Sequence, residues 1–354
     1  MPETSIIFNK VADYDFDLPK ELIAQKPMGK RENARLLVLH RYSGKIEHRK
    51  FNEITDYLSP EDILVLNNTK VIPSRIAGQK AHGAYIDLLF TEELEDNCWK
   101  ALLKSNAPLK KGERIYLDNA TISAILLEKH EDSSWILQIE NGANIKELMD
   151  RDGEMPLPPY IKRQKKNNTL SAMDAERYQT VFAKKEGAIA APTAGLHFSE
   201  GVLKKIKHRG VEIEFVTLHV GLGTFLPIKA EEIQQHCMHK EYYEYSKELI
   251  RKITTTKNRE GRIIATGSTS CRVLETIALS SNIHRFSGYT DLFIYPPYQF
   301  KYVDVLITNF HLPKSTLLLL VSAFAGREQI LNAYEIAKKE GYRFYSYGDC
   351  MLII

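Results

Sequence analysis

Four times along this chain a short apolar run breaks into a loop of small or polar side chains, in most cases ahead of a helical pattern. The runs end at Ala191, Val220, Ala265 and Ile307. Apolar runs without polar alternation suit strands covered on both faces. Strands that alternate with helices imply βαβ crossovers and a largely parallel sheet with flanking helices. In such sheets ligands bind outside the carboxyl ends of the strands. One such loop is an ordinary connection. Four of them predict a composite pocket, built from residues far apart in sequence.

Ala188-Ile189-Ala190-Ala191 reads as one of these strands, broken at Pro192 and turned at Gly195, with Thr193 and His197 on the loop. Ser199 then caps an amphipathic helix over Val202, Leu203 and Ile206, which Gly210 closes. Further strands are expected over Val211–Val220, Gly261–Ala265 and Val303–Ile307, and a last helix over Arg327–Glu340. Nearer the N-terminus, Asp17–Leu22 resembles a helix start, and Arg35–Leu39 and Asp62–Leu66 are apolar strands. The second of these runs into the polar cluster Asn67-Asn68-Thr69-Lys70, with Arg75 close behind.

Between 71 and 150 the pattern changes to a period of two. Ile86, Leu88 and Phe90, then Ile115 and Leu117, then Ile122, Ala124 and Leu126, then Trp135, Leu137 and Ile139 alternate with polar residues. Short polar turns separate them, which describes a small antiparallel β-barrel or sandwich. We therefore expect an inserted barrel domain at 71–150 within a discontinuous α/β domain of 1–70 and 151–354. Gly153–Arg163 places three prolines within 156–159, a stiff extended segment with Glu154 at one end and Lys162 and Arg163 at the other.

Composition narrows the class. A net charge of +3 is too mild to announce a nucleic-acid binder, although Lys162–Lys166 and Lys204–Arg209 are locally basic. No apolar run approaches the roughly 18 residues of a membrane span, and Met1–Lys10 lacks signal-peptide character. Four scattered cysteines without a CxxC pair point to free thiols in the cytoplasm. Gly221-Leu222-Gly223 lacks the third glycine of a dinucleotide fingerprint, and no P-loop is present. His236, His239 and Glu241 invite a metal reading, but only His239 and Glu241 would share a strand face, so no metal is expected. Leu292–Ile294 reads as a strand leading into the proline-held aromatic loop Tyr295–Lys301, whose Tyr298 could stack a base.

Several of these stretches together resemble one family. They are Asp13–Pro19, Leu66–Arg75, Gly153–Arg163, Ala191–Phe198, Leu218–Phe225, His236–Glu241, Tyr295–Phe300, Thr308–Thr316 and Ser346–Asp349. In them the chain is similar, nearly end to end, to the S-adenosylmethionine:tRNA ribosyltransferase-isomerases of queuosine biosynthesis. It departs from the family pattern at Gly267-Ser268-Thr269-Ser270-Cys271-Arg272, where serine replaces a threonine and keeps its hydroxyl.

The resemblance implies an α/β domain interrupted by a small barrel. It implies S-adenosylmethionine as a consumed substrate, with no separate cofactor, whose ribosyl group passes to 7-aminomethyl-7-deazaguanine at the tRNA wobble position. Epoxyqueuosine-tRNA, adenine and methionine would be the products. The partner would be the anticodon loop, with no membrane and the chain acting as a monomer. The competing readings are an S-adenosylmethionine-dependent tRNA methyltransferase and a non-catalytic RNA-binding protein.

The chemistry needs a base to remove a proton acidified by the sulfonium, and His197, His219 and His311 are the candidates. Substrate contacts are expected from Asn67, Asn68, Lys70, Arg75, Glu154, Tyr160, Arg163, Thr193, Gly195, Gly221 and Gly223. Others are His239, Glu241, Gly267, Thr269, Arg272, Tyr298, Asn309, Lys314 and Ser315. Among these, Arg75 and Arg163, together with Lys162, would hold phosphates.

Overall fold

The protein is described by a computed structural model covering residues 8–163, 168–221 and 228–354. Its strands in the first third are β1 (Arg35–Leu39), β2 (Ile46–Lys50), β3 (Ile63–Asn67) and β4 (Thr69–Val71). Then come β5 (Arg75–Lys80), β6 (Tyr85–Glu93), β7 (Cys98–Ser105), β8 (Arg114–Leu117), β9 (Ile122–Lys129) and β10 (Ser134–Ile139). Helices α1 (Ile145–Asp152) and α2 (Asn168–Arg177) follow, then β11 (Lys185–Ala188), α3 (Glu200–His208) and β12 (Glu212–Leu218). The remainder is β13 (Glu241–Tyr245), α4 (Lys247–Asn258), β14 (Ile263–Thr266), α5 (Gly267–Leu279), β15 (Ser287–Thr290) and β16 (Val305–Asn309). It closes with α6 (Thr316–Ala325), α7 (Arg327–Lys339) and β17 (Cys350–Ile353).

Two compact units emerge, one from Met1–Lys70, Pro158–Lys162 and Gln179–Ile354, the other from Val71–Leu157 and Arg163–Tyr178. The second therefore also takes in 151–157 and 163–178, which the sequence reading left with the α/β part.

The first unit is a nine-stranded sheet in the order β15-β13-β12-β3-β14-β16-β17-β1-β2. Its central strands β12, β3, β14 and β16 run parallel, while β13 and β15 on one side and β17 on the other join antiparallel. The sheet is thus parallel where the crossover helices pack and mixed toward its edges. Strand alternation divides the core in two. Leu37, Leu39, Ile63, Val65 and Ala265 face one layer, with Leu249 of α4, Val273 and Leu274 of α5, and the apolar α6. Leu36, Val38, Leu64, Leu66, Ile264 and Ile307 face the other, with Val202 and Ile206 of α3. Serines cap α3, α4 and α6: Ser199, Ser246 and Ser315 each accept from a first-turn backbone N–H.

Three local expectations are corrected. Residues 189–192 are buried but irregular; β11 ends at Ala188 and pairs with β4 in a separate two-stranded ribbon. Small apolar side chains let that backbone pack tightly without a ladder, and Pro192 has no N–H to give to one. Leu292–Ile294 is likewise irregular, the strand lying earlier at β15. Asp17–Leu22 yields one 3-10 turn over Lys20–Leu22.

In the second unit six antiparallel strands close in the order β10-β7-β6-β5-β8-β9. Ile86, Leu88 and Phe90, Ile115 and Leu117, Ala124 and Leu126, and Trp135, Leu137 and Ile139 all point inward, joined by Ile145, Leu148 and Met149 of α1. Closure removes the sheet edges that would otherwise invite pairing with another chain.

Candidate active site

At the carboxyl ends of β14 and β16 a cleft of about 620 Å³, its solvent-filled mouth included, opens in the first unit. Ala191, Pro192, Thr193 and Ala194 form one wall and Val220, just beyond β12, another. Gly267, Ser268 and Thr269 begin α5; Thr308 and Asn309 end β16, and Phe310 to Leu312, Ser315 and Leu317 follow it; Tyr160, Tyr345 and Ser346 complete the lining. Every lining side chain is apolar, aromatic, hydroxyl, amide or imidazole. Tyr160 is fixed by a 2.7 Å hydrogen bond between its hydroxyl and Ser346 Oγ, and burial raises its pKa.

Asn309 ends β16 and is 2% exposed. Its Nδ2 lies 3.0 Å from Tyr345 O and 3.2 Å from His197 Nε2, with Asp349 O at 3.5 Å. Those acceptors fix which way the amide is turned, since only its nitrogen can donate. Its Oδ1 is buried without a hydrogen-bond partner among the described residues. Thr269 Oγ1, on the same cleft, is in the same condition.

The three candidate histidines separate. His311 lines the cleft, with Nε2 2.8 Å from Thr308 Oγ1 and its backbone N–H donating to Tyr334 Oη. Burial lowers its pKa to about 3, which keeps it neutral. His197 does not reach the cleft wall: it stands behind Asn309, its ring 5.3 Å from that of Phe51. Burial first, then the Arg343 charge, lowers its pKa to about 3. His219 belongs to the ribbon side, with Nδ1 2.8 Å from Thr69 Oγ1 and its ring stacked on Tyr242. A Cβ at Gly187, whose φ is +138°, would stand 2.9 Å from His219 Nε2, so glycine is required there. Burial lowers the His219 pKa as well.

Other predicted contacts prove to be spoken for within the fold. Asn67 joins β3 to β12, donating to Leu218 O at 3.0 Å and accepting from Thr69 N and Leu218 N. Asn68 Oδ1 accepts from Thr217 Oγ1, and Gly195 is packed against Thr180 and Phe182. Lys70 pairs with Glu186 and Lys314 with Asp15 at the surface. Ser315 Oγ caps α6 while donating to Leu312 O. Tyr298 donates to Glu275, so its hydroxyl is tethered, and burial raises its pKa.

Glu241 and Arg272 form a buried ion pair, with Gly221 N donating to Glu241 Oε1 and Arg272 Nε to Leu292 O. His239 is exposed and lies ahead of β13, so it shares no strand face with Glu241. Among the described residues no group of His, Cys, Asp and Glu could hold a metal. Gly223 lies outside the described residues. In the second unit Arg75 is bidentate on Asp87, at 2.8 and 2.6 Å, and its backbone pairs with that of Glu154. Arg163 is bidentate on Asp174, at 2.6 and 2.8 Å.

Sequence reasoning missed Ser268, Phe310, Tyr345 and Ser346 on the cleft, and it missed Glu275. That carboxylate is fully buried in α5 and accepts from Tyr298 Oη and from the backbone N–H groups of Lys301, Tyr302 and Val303 at 2.9–3.0 Å. The signal was present as the one acid in a helical stretch, flanked by the apolar Val273, Leu274, Ile277 and Leu279.

A covered α/β sheet with a cleft at its carboxyl edge, in a chain that also carries a closed barrel, defines a class of small-molecule-binding enzymes. The sequence profile of the family described as "Queuosine biosynthesis protein" matches residues 11–353, and the chain belongs to that family. Proteins named S-adenosylmethionine:tRNA ribosyltransferase-isomerase are its relatives. That of Thermosipho melanesiensis is 50% identical over 345 residues, covering 97% of this chain and 99% of the relative. That of Acetivibrio thermocellus is 49% identical over 346 residues, covering 97% and 99%. The crystal structure of an S-adenosylmethionine tRNA ribosyltransferase from Thermotoga maritima aligns with a TM-score of 0.55 at 39% identity, over 97% of this chain and 100% of that one. No helix among the described residues is long and apolar enough to cross a membrane.

Proposed function

We propose that this chain is an S-adenosylmethionine:tRNA ribosyltransferase-isomerase, moving and isomerising the ribosyl group of S-adenosylmethionine onto a base of tRNA. The observation that carries this reading is end-to-end family membership together with a cleft on which two buried polar atoms, Asn309 Oδ1 and Thr269 Oγ1, have no partner among the described residues. In finer detail, the acceptor is 7-aminomethyl-7-deazaguanine at the wobble position, splayed from the anticodon loop. S-adenosylmethionine is consumed, leaving adenine and methionine, without a further cofactor, and the chain acts as a monomer in the cytoplasm.

His311 is the base in this reading. It is the candidate histidine on the cleft wall. In the tautomer that carries its proton on Nε2, that proton goes to Thr308 Oγ1, 2.8 Å away, and the lone pair of Nδ1 takes the proton from the carbon next to the sulfonium. His197 is a positioning residue, fixing the Asn309 amide. Hydroxyls of Thr193 and Ser268 are at hand for the leaving purine and the ribose.

The test is to incubate the purified chain with S-adenosylmethionine and tRNA bearing the deazaguanine. Release of free adenine and methionine in step with modified tRNA is expected. S-adenosylhomocysteine as the product would instead mean methyl transfer, and tRNA binding without any consumption of S-adenosylmethionine would mean no enzyme at all.

A further inference from the structure

The start of α5 differs from the starts of α3, α4 and α6. Those three helices are capped by their own serines, whereas the Thr266 side chain makes no cap bond. The first-turn N–H groups of a helix have no partner within it, and they carry the positive end of the helix dipole. At α5 this end is lined up with the cleft, because Gly267, Ser268 and Thr269 are wall residues. Gly267 adopts a φ of +80° and presents bare backbone there; a Cβ on it would stand 3.6 Å from Thr269 Oγ1.

A helix end alone would say little, but two buried side chains on the same cleft point to a ligand independently. Thr269 is 7% exposed and its Oγ1 has no partner among the described residues; the same is true of Asn309 Oδ1 in a residue 2% exposed. Leaving such atoms unpaired in a folded interior is costly, so a bound molecule is expected to satisfy them. Their chemistry differs. The amide of Asn309 is oriented by its nitrogen, held by Tyr345 O and His197, so its acceptor oxygen is the atom left without a partner among the described residues. The Thr269 hydroxyl and the first-turn N–H groups donate.

We propose that the cleft holds the α-amino acid end of S-adenosylmethionine, its carboxylate against the first turn of α5 and Thr269 Oγ1, its ammonium against Asn309 Oδ1. The proposal rests on the S-adenosylmethionine reading given above. A zwitterion suits this wall, which carries no lysine, arginine or acidic side chain among the described residues. A purine edge also pairs a donor with an acceptor, but it is neutral and gains little from the positive end of a helix.

Calorimetric titration of the intact chain compares S-adenosylmethionine with its decarboxylated analogue, which keeps adenine, ribose and sulfonium. The analogue is expected to bind about 100-fold more weakly, the loss of a charge-assisted pair of hydrogen bonds. Thr269→Val is expected to weaken S-adenosylmethionine about tenfold, the analogue less than twofold, and competition by adenine not at all. Equal affinity of the wild-type chain for both compounds overturns the docking, and that comparison needs no variant to fold. A Thr269→Val variant that weakens adenine as much as S-adenosylmethionine puts the purine there and also overturns it. Failure to bind S-adenosylmethionine at all overturns the functional reading itself, a result distinct from either.

Discussion

The barrel and the α/β cleft treat polar atoms in opposite ways. In the barrel unit, charged side chains find each other: Arg75 with Asp87, Lys80 with Glu113, Lys100 with Asp132, Arg114 with Glu140 and Arg163 with Asp174. At the α/β cleft two buried polar atoms, Asn309 Oδ1 and Thr269 Oγ1, have no hydrogen-bond partner among the described residues. A fold that only had to be stable would satisfy both sets. Open polar atoms beside a cleft mark where a ligand completes the hydrogen bonding, and paired ones mark scaffold.

Substitutions at the cleft and in the barrel test that contrast. The largest effect is expected from His311→Phe, which fills the space but removes the base. Adenine release should fall by about 10²–10⁴-fold with an unchanged circular dichroism spectrum, and turnover near that of the wild type would remove His311 from its role. Leu88→Ala in the barrel core should cost about 2–5 kcal/mol in urea unfolding, yet leave S-adenosylmethionine affinity within about twofold. An affinity change as large as the stability change would erase the distinction between scaffold and site.

Acid should expose the buried histidines next. His197 and His311 have folded pKa values of about 3 against an ordinary 6.5, so the unfolded chain binds more protons between those values. Stability is therefore full above pH 6.5 and falls as the pH drops toward 3. By pH 5 the loss is about 2 kcal/mol for each histidine. In His197→Gln, which keeps an acceptor for Asn309, that acid limb should become shallower while turnover partly survives. The smallest effect belongs to Lys162, an exposed residue of the proline-rich stretch. Lys162→Ala should lower the salt slope of tRNA binding by about one. Arg163→Ala should instead lower the melting temperature, because its guanidinium is committed to Asp174.

Much of the scaffold was readable from residue pattern alone. The period-two positions from Ile86 to Ile139 are nearly all barrel core, because one face of each strand must be dry. The strand ends at Val220, Ala265 and Ile307 do lead to the cleft, since chain direction and loop polarity are local properties. Ala188–Ala191 misled because small apolar residues are buried equally well in a strand and in a tight irregular turn. His197 misled for a different reason. Its place on a polar loop was right, but whether a side chain faces a cavity or props up its wall depends on Asn309, which is 112 positions away. Tyr345 was missed for the same reason, and Ser346 was read only as part of a family-like stretch: the segment ahead of β17 brings both from the far end of the chain.

Glu275 carries a consequence for how the α/β unit can be watched. The helix whose first turn faces the cleft also holds, eight residues on, the carboxylate that gathers the N–H groups of Lys301, Tyr302 and Val303. Those three amides can exchange with deuterium only when α5 lets go of them. Their protection is a gauge of how firmly the helix is seated, read at residues that do not line the cleft, and a molecule that pins the first turn of α5 should slow their exchange without touching them.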